Sequence, residues 1–81
     1  MALTAEQRRA LVLLVTTQRM QRGATEDLML ANGFERDMLA GLVLAGLATV
    51  VTETIKLGAA TIPAERYRIT DAGRVALAAG A

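Results

Sequence analysis

The chain has no cysteine, no histidine and no tryptophan. Without cysteine there are no disulfides to support a small core, and the absence fits a reducing compartment. Without cysteine or histidine, the usual zinc sites, thiol nucleophiles and histidine-based triads are excluded. Proline occurs once, at Pro63, and Phe34 and Tyr67 are the only aromatic residues. No apolar run approaches the roughly 18–20 residues that a membrane span needs. The first residues, Met1-Ala2-Leu3-Thr4-Ala5-Glu6, carry no basic segment and no signal-peptide core. A cytoplasmic location with no membrane partner is therefore expected. Charge of one sign is also lacking: the net charge is +1. That permits a basic face for nucleic acid but does not advertise one.

What is present is aliphatic. Over half of the 81 residues are apolar, mostly Ala, Leu and Val. A domain of this length buries only about 60–65% of its unfolded surface. The surplus apolar surface points to a partner or a self-interface. Residues 1–81 read as one domain, with no repeat, low-complexity run or linker.

Thr4 and Gln7 match a capping box at the start of a first helix, with Leu11, Leu14, Val15 and Gln18 at helical spacing. Gly23 reads as its stop, and Arg19 and Arg22 suit its negative end. Thr25 can cap a short second helix with Glu26 and Asp27 in its first turn. Asn32-Gly33 is a turn signal, and Phe34 follows as a core anchor. A third helix is expected from Glu35 to Ala45, with Met38, Leu39, Leu42 and Ala45 on one face and Gly46 as its end. Leu47 then enters the core.

The Val, Thr and Ile content from Ala48 to Leu57 predicts a strand. Gly58-Ala59-Ala60 reads as a turn, and Pro63 is expected to limit pairing beside it. Arg66 to Ile69 alternate charged and apolar, as a half-buried return strand does. Thr70 caps a last helix with Asp71 in its first turn, packed through Val75, Ala76 and Ala79.

The order helix, helix, helix, hairpin, helix resembles the winged helix-turn-helix superfamily. The residues that carry the likeness are Thr25-Glu26-Asp27-Leu28, Asn32-Gly33-Phe34, Leu42-Val43-Leu44-Ala45-Gly46-Leu47 and Tyr67-Arg68-Ile69-Thr70-Asp71-Ala72-Gly73-Arg74. The closing segment is similar to the wing-to-helix junction of small bacterial regulators of the MarR and PadR types. The resemblance implies an α+β fold with a three-helix core, a β-hairpin wing and a C-terminal helix. It implies binding of double-stranded DNA in transcription regulation, with Glu35 to Ala45 in the major groove and Lys56 to Arg66 as the wing. Carried onto this chain, the DNA-binding residues are Arg36, Lys56, Arg66 and Arg68. Arg36 would reach base edges, and the other three, read as lying on one side of the hairpin, would contact phosphates.

The chain departs from that pattern. Phe34 to Ala45 carries one positive charge, Arg36, between Glu35 and Asp37, and no charge lies between Lys56 and Glu65. The alternative is a winged helix for protein–protein contact that does not bind DNA, through Met38, Leu39 and Val43 of the third helix and Ile62 of the wing. The plainer reading of Arg36 is a surface arginine paired with Glu35, Asp37 or solvent. Arg8 and Arg9 read as a solvated face. A homodimer is expected through the first and last helices, at about 800 Å² per partner. Glu35, Asp37 and Asp71 each sit at a helix start, so no catalytic residue, metal site or cofactor is expected and the chain does not read as an enzyme.

Overall fold

A computed structural model describes residues 3–20 and 24–79. The architecture is mixed α+β, with four helices and a three-stranded antiparallel sheet. Helix α1 spans Ala5–Met20, strand β1 Ala24–Thr25, helix α2 Glu26–Ala31 and helix α3 Arg36–Leu44. Strands β2, Ala48–Leu57, and β3, Ala60–Ile69, form a long hairpin, and helix α4 spans Asp71–Ala79. The sheet order is β1-β3-β2.

Three threonines start three helices. The Thr4 and Gln7 side chains each accept the other residue's backbone N–H, at 3.0 and 2.9 Å. Thr25 Oγ1 accepts from the Leu28 N–H. Thr70 Oγ1 accepts from the Gly73 N–H and donates to the Gly46 carbonyl at 2.6 Å, so one hydroxyl joins the end of α3 to the start of α4. Gly46, at φ 77°, ends α3: its N–H reaches the Val43 carbonyl while the Leu47 N–H reaches that of Leu42. This is a Schellman ending, and it delivers Leu47 into the core. Glu35 and Ala45 flank α3 as its caps. Gly23 and Arg22 lie outside the described residues.

The core fills the space between α1, α2, α3 and the sheet. Leu11, Leu14, Met29, Leu39 and Leu42 are fully buried, with Phe34, Leu47, Tyr67 and Ile69 nearly so. Each such side chain contributes about 1.5–3 kcal/mol of transfer free energy. No charged or polar residue among the described residues is buried. Helix α4 docks through Gly73, Ala76 and Leu77, not through Val75 and Ala79, which face solvent. Gly73 permits the approach. A Cβ there would collide with the Leu47 carbonyl oxygen and sit 2.7 Å from Cγ1 of Ile69.

The sheet differs from the expected two-stranded hairpin in two ways. First, β1 adds a third strand, pairing Ala24 with Tyr67 and Thr25 with Arg66. Second, β3 begins at Ala60 rather than Arg66 and passes through Pro63, which pairs with Thr54. The turn explains why the proline is tolerated. Gly58, at φ 61°, and Ala59 make a two-residue turn with Leu57 opposite Ala60. Positive φ at the first position only fits a type II′ turn. From that closing pair, the even-numbered residues of β3 exchange hydrogen bonds with β2. The Thr70 N–H continues the series, donating to the Leu47 carbonyl. Pro63 is odd, so its missing N–H faces the outer edge of β3, where no strand is paired. The Ile69 N–H faces the same edge and is met there by Gln18 Oε1 at 3.2 Å.

The molecule measures 46 × 24 × 20 Å. Residues 56–63, the outer part of the hairpin, are all exposed.

Candidate interaction surface

The four candidate cations do not form one surface. Arg36 opens α3, with its side chain 73% exposed and its Nε 3.0 Å from Oε1 of Glu26. Its carboxylate partner therefore comes from the first residue of α2, not from neighbouring Glu35 or Asp37. Arg66 lies opposite Val51 in the ladder and reaches diagonally to Glu53, Nε to Oε2 at 2.6 Å. Arg68 lies opposite Thr49 and is exposed. Arg66 and Arg68 are two apart and share a face of the sheet. Lys56 lies opposite Thr61, an odd residue of β3, so the pleat puts it on the other face. The expectation that Lys56, Arg66 and Arg68 lie on one side of the hairpin is corrected by this register.

The arginines of α1 also have structural partners. Arg8 donates to the Leu77 carbonyl at 3.3 Å, near the negative end of α4. The Arg9 guanidinium sits 5.3 Å from the Phe34 ring centroid, within cation–π range. Neither is simply part of a solvated face.

The third helix turns its expected contact residues inward. Leu39 is fully buried, and Met38 and Val43 pack against the core. Of the four residues expected to form a protein contact, only Ile62 is exposed. The exposed large apolar side chains are shared between the hairpin, with Val50, Val51, Leu57 and Ile62, and the four helices, with Val12, Leu28, Leu44 and Val75.

An open groove of about 600 Å³ separates the hairpin from the starts of α2 and α3. Its helical wall carries Thr25, Glu26, Asp27 and Arg36, and its hairpin wall includes Ile55, Leu57, Ile62, Pro63 and Glu65. Three carboxylates thus face one guanidinium. Glu65 and Glu26 share a side-chain hydrogen bond, which raises the Glu65 pKa above its ordinary value. Partial desolvation and the charge of Glu26 act in the same direction, and the charge of Arg36 opposes them. The Tyr67 hydroxyl is also raised, first by burial and then by Glu26 and Glu65. The groove is therefore a region of crowded negative charge. A shallower depression of about 280 Å³ lies between α1 and the α2–α3 turn, lined by Val12, Leu13 and Phe34 among others.

The groove is legible in the sequence only in part. Glu26 and Asp27 read as helix-start acids. Nothing local links them to Glu65, 39 positions downstream of Glu26. Among the described residues, no three Asp, Glu, His or Cys side chains converge to hold a metal ion. No helix among them is long and apolar enough to cross a membrane. No protein-family model matches the chain, and no curated protein or solved structure matches it.

Proposed function

We propose that this chain is a winged helix-turn-helix domain whose working surface contacts protein rather than DNA. The element order, the β1-β3-β2 sheet and the long hairpin after α3 support the fold assignment. One observation carries the choice of partner. The groove between α3 and the hairpin, where a DNA-binding member would meet phosphates, presents Glu26, Asp27 and Glu65 against a single arginine. Carboxylates there repel a phosphate backbone, and Arg36 and Arg66 each already hold a carboxylate. Leu57 and Ile62, exposed on the hairpin wall of the same groove, support the same reading.

DNA binding in transcription regulation is the second reading, and one observation favours it. Arg36 is largely in solvent, and an exposed ion pair is worth only about 0–1 kcal/mol, so a phosphate can replace Glu26. Titrating random duplex DNA at low salt separates the two. The protein-contact reading expects no binding. Binding that is lost in Arg36→Ala and in Arg66→Ala/Arg68→Ala, with a steep salt dependence, would overturn it in favour of DNA.

A further inference from the structure

We infer that the groove receives an extended segment of a partner protein that presents a lysine or arginine flanked by aliphatic side chains. This rests on the protein-contact reading above. Charge complementarity specifies the cation. With all groups ionised, three carboxylates and one guanidinium leave a net charge of −2 in the groove. Glu26 and Glu65 line opposite walls of the groove, and a partner's ammonium or guanidinium between them would offset their mutual repulsion. Charge-assisted hydrogen bonds of this kind are about twice as strong as neutral ones.

The opposite wall specifies the flanking residues. Leu57 and Ile62 are 59% and 44% exposed, and with Ile55 and Pro63 they line the groove without belonging to the core. Apolar side chains on either side of the cation would cover them.

The backbone specifies the extended conformation. Strand β1 covers the outer edge of β3 only at Arg66 and Tyr67, because the chain turns into α2 at Glu26. The carbonyls of Thr61 and Pro63 and the N–H of Thr61 point outward along that uncovered edge, beside the groove. A strand added there continues the line of β1, a recurrent mode of peptide recognition. The missing N–H of Pro63 sets the register, since the segment places no acceptor in need of a donor at that step.

The test uses the whole chain and two synthetic peptides, one alternating lysine with valine and one alternating glutamate with valine. Backbone amide spectra are recorded during titration at low salt. Shifts are expected with the lysine peptide alone, confined to Thr25–Asp27, Arg36 and Thr61–Glu65. The Glu26→Gln/Glu65→Gln variant should weaken binding about tenfold or more. Ile62→Ser, at an exposed site on the apolar wall, should weaken it severalfold while the spectrum stays folded. Equal response to both peptides, shifts centred elsewhere, insensitivity to the charge-neutralised variant, or no binding would overturn the inference. Random duplex DNA titrated into the same samples separates the two levels. If neither lysine peptide nor DNA binds, the groove assignment fails and the protein-contact reading stands. If DNA alone binds, with Arg36→Ala abolishing it, both fall.

Discussion

The helical body and the outer half of the hairpin use similar residues to opposite ends. In the body, Leu11, Leu14, Met29, Leu39 and Leu42 are fully buried, and its three helix-starting threonines all make side-chain hydrogen bonds. In the outer hairpin, Leu57 and Ile62 are as apolar but stand in solvent. The difference is topological. The body has elements on several sides of each residue, whereas the outer hairpin has a neighbour only in its own other strand and across an open groove. Apolar residues that stabilise in one region are left for recognition in the other.

The comparison yields an ordered set of expectations. Leu14→Ala should cost about 2–5 kcal/mol, enough to unfold much of a domain whose total stability is on the order of 5–15 kcal/mol. Thermal or urea unfolding measures it. A cost below about 1 kcal/mol would mean that the body is less tightly packed than its burial implies. Gly73→Ala comes next, at about 1–3 kcal/mol, because the new methyl meets the Leu47 carbonyl and Ile69. The same unfolding series checks it, and the cost disappears if α4 can move outward freely.

At the hairpin, Leu57→Ser and Ile62→Ser should each change stability by no more than about 0.5 kcal/mol. A larger loss in dilute solution would show that these residues already hold the fold and are not reserved for a partner. The smallest effect concerns pH. The Glu65 pKa is raised in the folded state, so the folded chain retains the proton longer than the unfolded one. The contribution of Glu65 to stability is therefore greatest below its ordinary pKa and is lost as pH rises through the raised value. Relative to Glu65→Gln, the wild type should lose a little melting temperature across the carboxylate range. Parallel profiles for the two proteins would remove the Glu26–Glu65 interaction from the account.

Features set by near neighbours in the chain are legible residue by residue; those set by strand pairing are not. The two-residue strand β1 has no periodicity to detect. Pro63 marks a short return strand in the sequence, yet the direction in which a missing N–H points depends on which partner residue lies opposite. The face of Lys56 turned on a single residue of the turn. Reading Gly58-Ala59-Ala60 as the loop puts Lys56 beside Arg66 and Arg68, and the observed Gly58-Ala59 turn puts it on the other face. The Arg36–Glu26 pair joins residues of two different helices.

The amino-acid sequence by itself determined the local signals: helix starts at Thr4, Thr25 and Thr70, turns at Gly33 and Gly46, the limits of β2, and most of the buried leucines. These depend on contacts within a few positions or on helical periodicity, which the order of residues states directly. Only the tertiary structure decided the third strand, the faces of the hairpin, the burial of Leu39 against the exposure of Val75, and the meeting of Glu26, Glu65 and Arg36. Those depend on strand register and on packing between distant segments. A shift of one residue in the register reverses which side chains face the same way, and whether the Gly58-Ala59-Ala60 stretch closes as two or three residues is decided by pairing along the whole hairpin.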